Sequence, residues 1–284
     1  MNIIAQKKSI NCKGQIIDFS VPKIMGIVNI TPDSFFQNSR CNSEKEIISR
    51  VSQMISDGAN FIDIGAYSTR PGCDFVSEDD EICRIKFALN IISKEFPNAL
   101  ISIDTYRSKV AKISVEEYGA SLINDISAGQ LDNEMFNTIA NLKIPYIAMH
   151  MQGNPQNMNK FINYNNFIKD IIEYFSDKIN HLKNLGVNDI IIDPGFGFSK
   201  TIDQNYELLN NLSEFKILEC PILVGISRKS MIYKFLETSP ENSLNGTSIL
   251  NTISVIKGAD ILRVHDVKQA YEVVKLCKKT GLLL

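Results

Sequence analysis

Leu100-Ile101-Ser102-Ile103-Asp104 and, one segment later, Ala120-Ser121-Leu122-Ile123-Asn124-Asp125 carry the pattern on which the fold turns: a short apolar run that closes on an acid or an amide. The pattern recurs outward in both directions. Upstream stand Ile24-Met25-Gly26-Ile27-Val28 before Asn29, and Phe61-Ile62 before Asp63. Downstream, residues 144–149 precede His150, Ile190-Ile191-Ile192 precedes Asp193, residues 221–224 lead to Ser227-Arg228-Lys229, and residues 260–262 lead to Arg263 and His265. Between these runs lie stretches of helical period, among them 44–56, 80–93, 165–185, 202–212 and 267–278.

Runs apolar on both faces that alternate with helices describe a parallel sheet covered by helices. Eight of them in roughly 250 residues match a closed (β/α)₈ barrel. An open doubly wound sheet is the alternative, but it would gather its ligand residues at one switch point, whereas here polar residues follow every run. The expectation is therefore an α/β chain, a (β/α)₈ TIM barrel in a single domain spanning 1–284. A short N-terminal β-hairpin, made of Ile3-Ile4 and residues 15–19 and turning near Lys13-Gly14, would cap the barrel's bottom.

Composition agrees. The 284 residues are 44% hydrophobic and 22% charged, enough for a full core. A net charge of −2 lacks the basic excess of a general nucleic-acid binder. No run approaches the roughly eighteen apolar residues of a membrane span, and the first residues lack a signal-peptide core. Six scattered cysteines, Cys12, Cys41, Cys73, Cys83, Cys220 and Cys277, form no CxxC pair and read as reduced thiols of a cytosolic protein. His150, His181 and His265 are too far apart to indicate a structural zinc site.

The run ends hold the chemistry. Asp104, Asn124, Asp125 and Asp193 would converge at the barrel mouth, where buried carboxylates and amides need a ligand rich in donors. Each alone also fits a loop or helix cap. Lys229 beside Arg228, and Arg263 two residues before His265, form a cationic corner suited to phosphate, which barrels often bind near strands seven and eight. Asn29-Ile30-Thr31-Pro32-Asp33-Ser34-Phe35 and Ser68-Thr69-Arg70-Pro71-Gly72 read as first and second loops able to order over a substrate. In Asp193-Pro194-Gly195-Phe196-Gly197-Phe198 two glycines let the backbone approach a flat ligand.

These strings together resemble the dihydropteroate synthases. The resemblance runs in order from about residue 9 to the C-terminus. It includes Met25-Gly26-Ile27-Val28-Asn29 with the first loop, Asp63-Ile64-Gly65 with the second, Ser102-Ile103-Asp104-Thr105, and Ile123-Asn124-Asp125. It continues through Met149-His150-Met151, the Asp193 string with Lys200, Ser227-Arg228-Lys229-Ser230 and Arg263-Val264-His265-Asp266-Val267. Such an enzyme joins 6-hydroxymethyl-7,8-dihydropterin diphosphate to 4-aminobenzoate and releases diphosphate.

The resemblance implies a pterin pocket of Asp104, Asn124, Asp193 and Lys229, walled by Met149 and Phe198. It places diphosphate toward Arg263 and His265, Mg²⁺ on the amide oxygen of Asn29, Thr69 and Arg70 over the substrate, and Ser227 and Arg228 beside the aminobenzoate. Asp104, Lys229, Arg263 and His265 would carry the catalysis. It also implies a homodimer formed by late helices, near residues 243–257 and 267–278, and inhibition by sulfonamides. Ala66-Tyr67, Phe36-Gln37-Asn38 and Ser199 depart from the commonest pattern and bear on loop behaviour. Methyltransferases that use methyltetrahydrofolate share such a barrel, but they need neither the cationic corner nor the Ser68-Thr69-Arg70-Pro71-Gly72 loop. A non-catalytic pterin-binding paralogue would be expected to have lost part of this set.

Overall fold

All eight apolar runs form strands, and two further strands precede them. The computed structural model describes residues 9–30, 40–67 and 76–283, with backbone alone at 40–43 and 159. Strands β1 (Ser9–Cys12) and β2 (Gln15–Asp18) form an antiparallel hairpin. They are followed by β3 (Lys23–Asn29), β4 (Phe61–Gly65), β5 (Ile101–Asp104), β6 (Leu122–Asp125), β7 (Tyr146–Met149), β8 (Ile190–Asp193), β9 (Leu223–Val224) and β10 (Ile261–Val264). These eight pair in parallel in the order β8-β7-β6-β5-β4-β3-β10-β9. A parallel bridge between Ile192 and Ile222, with Ile192 N donating to Pro221 O at 3.0 Å, joins the two ends and closes the barrel.

Nine helices of the described residues surround it: α1 (Arg40–Ser56), α2 (Glu78–Glu95), α3 (Ser108–Glu116), α4 (Met135–Leu142), α5 (Phe167–Asn184), α6 (Ile202–Asn210), α7 (Ser230–Tyr233), α8 (Leu244–Ile256) and α9 (Val267–Lys279). Their starts follow local chemistry. Ser77 caps α2 by accepting from Asp80 N, and the acidic first turn of Glu78, Asp79, Asp80 and Glu81 complements the helix dipole. Thr201 and Gln204 form a reciprocal capping box on α6.

Alternation along the strands separates two cores. Outward residues such as Ile62, Ile64, Ile103, Ile123, Ile192 and Leu262 are buried beneath the helices. Inward residues Met25, Phe61, Leu122, Ile147, Ile191, Leu223 and Ile261 form a floor, and Ile10, Cys12, Ile17 and Phe19 of the hairpin pack against it. The hairpin thus plugs the N-terminal end, as expected, but its first strand is Ser9–Cys12. Ile3-Ile4 lie outside the described residues. Lys13 (φ 52°) and Gly14 (φ 80°) make the two-residue turn between Cys12 and Gln15, both left-handed, the geometry that matches strand twist.

Two residues above this floor the same inward face turns polar: Phe61 gives way to Asp63, Leu122 to Asn124, Ile191 to Asp193 and Ile261 to Arg263. One sheet face is therefore a hydrophobic plug at one end and a chemical site at the other. A cleft lined by Lys23, Asn60, Tyr271, Val274 and Lys275 lies at the plugged end, away from these polar groups. No helix among the described residues is long and apolar enough to cross a membrane.

Candidate active site

Arg263 is the hub of the polar layer. From β10 its Nε donates to Asp63 Oδ2 on β4 at 2.6 Å, and its Nη2 donates to Asp104 Oδ2 on β5 at 2.6 Å. Asp63 is fully buried, and Asn124, on β6, donates its Nδ2 to the same Asp63 oxygen at 3.2 Å. Because an ionised carboxylate only accepts, this contact fixes the orientation of the Asn124 amide. Burial pushes Asp104 above the usual carboxylate range. Arg263 opposes that shift and the negative charge of Asp63 adds to it. Burial alone would lower Arg263, but the two aspartates outweigh it and raise its proton affinity.

Across the mouth, Asp193 at the end of β8 is buried and accepts from Gly195 N at 2.8 Å. Burial raises its pKa, and nearby Lys229 counters this. Lys229 follows β9. Its Nζ donates to Phe196 O at 2.5 Å and sits 4.8 Å from the centre of the Phe198 ring. Burial lowers this ammonium to about 8, against the pull of Asp193. Met149 is buried and joins Ile126, Met151 and Met158 in an apolar wall on which Phe198 and Tyr106 pack. Unbranched methionines give such a wall some adaptability.

The loop after β8 is pinned from below. Lys200, buried, donates to Gly195 O and Phe198 O at 3.0 Å each and meets His150 Nδ1 at 3.0 Å. Burial lowers Lys200 to about 7, and the lone pair it meets belongs to a histidine held well below its ordinary pKa by burial and by Lys200 itself. Gly195 (φ 75°) is obligatory here, since a Cβ would fall 2.0 Å from His150 O. Ser199, where glycine was the commoner expectation, has φ 49°. It keeps that left-handed conformation with its hydroxyl bonded to Gln152 N and O at 2.9 and 2.8 Å.

At the cationic corner, Ser227 Oγ lies 3.1 Å from His265 Nδ1. Burial, and then the Arg263 charge, push His265 down to about 4, so without an anion beside it the ring is neutral at pH 7. Arg228 points elsewhere. Its guanidinium holds Asp266 with two bonds of 2.8 Å and donates to the carbonyls of Pro240 and Glu241, an arrangement that braces the loops after β9 and β10.

Asn29 ends β3 with its side chain exposed at the mouth. Its Oδ1 and Asp104 Oδ2 each approach Gly65, where an added Cβ would lie 3.6 and 3.5 Å from them, but that Asp104 oxygen already accepts from Arg263 Nη2. A lone amide oxygen such as that of Asn29 suits a hard cation that keeps most of its waters. Among the described residues no group of three or more His, Cys, Asp or Glu side chains could hold a metal ion. Thr69 and Arg70, like most of the first loop, lie outside the described residues.

One barrel mouth thus combines a shared guanidinium, an oriented amide, an acid opposite a lysine and an apolar wall. The family described as "Pterin binding enzyme" matches residues 25–265, from the first barrel strand to His265. The dihydropteroate synthase of Clostridium beijerinckii is 41% identical over 256 residues, covering 89% of this chain and 92% of that protein. The chain belongs to the dihydropteroate synthase family. The Folic acid synthesis protein fol1 of Pneumocystis carinii is also 41% identical over 93% of this chain, which spans 37% of that longer protein. The solved dihydropteroate synthase of Yersinia pestis, in a sulfonamide drug complex, superposes with a TM-score of 0.89 at 37% identity, covering 96% of this chain and 99% of that one.

Within this dihydropteroate synthase frame, the structure brings Asp104, Asn124, Met149, Asp193, Phe198, Lys229 and Arg263 around one mouth, with Asn29, Ser227 and His265 at its rim. The sequence placed Asp63 at the close of its apolar run but gave it no role, because its partner Arg263 stands on a strand distant in sequence. The signal for Asp63 was the inward spacing from Phe61. Asp125 was grouped with the mouth, yet it faces outward and accepts from Tyr146 Oη, Ser127 and Gly129. Glu81 and Arg107, a buried ion pair, tie the start of α2 to the loop after Asp104 through Thr105, which donates to Glu81 at 2.7 Å.

Proposed function

We propose that this chain condenses 6-hydroxymethyl-7,8-dihydropterin diphosphate with 4-aminobenzoate, giving 7,8-dihydropteroate and diphosphate in folate biosynthesis. The observation that carries the reading is Asp193 and Lys229 facing Asn124 across a mouth whose far side is the Asp63–Arg263–Asp104 group. A pterin's aminopyrimidinone edge presents two neighbouring N–H donors, which the Asp193 carboxylate can accept, while its carbonyl needs the donor that Lys229 supplies. Asn124 offers its oxygen to a ring N–H because Asp63 already takes its nitrogen. Met149 and Phe198 cover the ring faces.

In the reaction the bond between the exocyclic methylene and the bridging oxygen breaks, and its electron pair leaves with diphosphate. Asp104, beside the ring, stabilises the resulting cation. Arg263 stabilises the departing anion, and that anion's charge offsets the forces that keep His265 neutral, so the imidazole gains a proton as it meets the phosphate. The amine of 4-aminobenzoate then forms the C–N bond, and its extra proton passes to diphosphate or solvent. By the resemblance, Thr69 and Arg70 meet the substrates and help keep water from the cation, and Ser227 borders the aminobenzoate. Arg228 acts there by bracing the loop. Mg²⁺, held by Asn29 Oδ1, would neutralise charge on the leaving group.

The same reading makes the chain one pterin-binding unit of a cytosolic homodimer. Cys12, Cys83 and Cys277 are free thiols, in keeping with a reducing compartment. Ile249 on α8 and Leu276 on α9 are exposed apolar residues on adjacent helices, in keeping with a covered face. Sedimentation equilibrium checks the dimer, and a monomer at all concentrations would contradict it. The catalytic reading predicts dihydropteroate and diphosphate in equal amounts from purified protein, with no dihydropteroate when the amine or Mg²⁺ is omitted. Tight pterin binding without product would instead support the non-catalytic paralogue.

A further inference from the structure

Asp63 is the deepest charged group in the mouth, and the assignments above give it no contact with either substrate. It is fully buried in the middle of β4, one layer above the apolar floor. A carboxylate is costly there unless it is paired and hydrogen-bonded. Its two described donors both reach one oxygen, Oδ2: Arg263 Nε at 2.6 Å and Asn124 Nδ2 at 3.2 Å. No protein donor among the described residues reaches Oδ1. A single oxygen atom therefore sets the tilt of the guanidinium that meets Asp104 and the orientation of the amide that faces the ring.

We infer that Asp63 is a positioning residue for the condensation. It holds Arg263 so that Nη2 engages Asp104, and it holds Asn124 so that its oxygen, not its nitrogen, faces the pterin. This rests on the synthase reading. Asp63 also shares one positive charge between two carboxylates, which leaves Asp104 incompletely neutralised. The charged groups whose fields reach Asp104 are Arg263 from β10, Asp63 from β4, Glu81 from α2, the outward-facing Asp125 from β6 and Lys229 from the loop after β9. Asp63 is the acid among them that shares Arg263 with it.

The test compares wild type with Asp63→Asn, in steady-state kinetics across pH with saturating 4-aminobenzoate and Mg²⁺, alongside circular dichroism and thermal unfolding. Removing the Asp63 charge leaves Arg263 to Asp104 alone and deletes one of the charges that raise Asp104's pKa. Asp104 then ionises at lower pH. The acid limb of kcat/KM for the pterin diphosphate should move to lower pH, while kcat/KM on the plateau falls about tenfold to a hundredfold through misplacement of Arg263 and Asn124. In an Arg263→Lys background, where the fork that Asp63 orients is gone, the further loss from Asp63→Asn should largely vanish.

Unchanged kinetics and an unmoved acid limb in folded Asp63→Asn would overturn the inference. So would a loss that is equal at every pH and additive with Arg263→Lys, the mark of general loosening. Should Asp63→Asn fail to fold, Asp63→Ser, which keeps a small hydroxyl for Asn124, carries the same expectations. A wild type without turnover would instead overturn the synthase reading, so the two failures are distinguishable.

Discussion

At the scale of single residues, which atoms face the mouth follows from strand parity more than from residue type. Asn124 and Asp125 are neighbours and both polar, yet one meets Asp63 and the other caps its own loop with Tyr146 and Ser127. Asp104, Asp193, Lys229 and Arg263 were legible because they follow apolar runs. Asp63 also follows an apolar run, but its role was not legible, because it depends on partners on β10 and β6 that only the closed sheet brings to it. Nor could sequence reveal that Arg228 is engaged by Asp266, since that contact depends on two loops meeting. Lys229 provides a test at this scale. Burial lowers its pKa to about 8, and the ammonium is the form that donates. Because kcat/KM reports the free enzyme, its value for the pterin diphosphate should fall as pH rises through about 8. In Lys229→Gln it should be low and lack that limb. A wild-type profile that stays flat to pH 10, roughly the ordinary lysine value, would count against this role.

At the scale of elements, periodicity carried most of the fold. The five helical segments read from apolar spacing correspond to α1, α2, α5, α6 and α9; α6 starts at Ile202 behind its Thr201 cap as read, while α2 starts two residues earlier behind Ser77. β9 is only two residues long, so its closing role depends on the neighbouring bridge at Ile222 rather than on propensity. The hairpin's turn was readable from Lys13-Gly14. Its first strand was not, because Ser9-Ile10-Asn11-Cys12 looks polar until Ile10 and Cys12 are seen against the barrel floor. Ile10→Ala removes apolar volume from a site that the floor encloses, so it should destabilise the protein by about 2–5 kcal/mol in urea unfolding. At temperatures where the variant is folded, kcat and KM should match wild type, since the plug lies at the end opposite the chemistry. A changed KM with unchanged stability would contradict that division.

At the scale of the whole molecule, closing the sheet is what creates the site. Asp63 and Arg263 are 200 positions apart in sequence, yet they become close partners only because β10 returns to pair with β3, next to β4. The plugged floor seats the polar layer above a buried apolar base, where charges act more strongly than in water on a developing cation and its leaving group. The proposed order of events is that diphosphate leaves before the amine attacks. Its most direct measurement is a single-turnover comparison of the pterin diphosphate with its exocyclic methylene dideuterated and undeuterated. Departure before attack loosens the out-of-plane C–H bending at that carbon, so the deuterated substrate should form dihydropteroate measurably more slowly, by the same factor at all aminobenzoate concentrations. Equal rates would contradict departure before attack, and no dihydropteroate from either substrate would contradict the synthase itself.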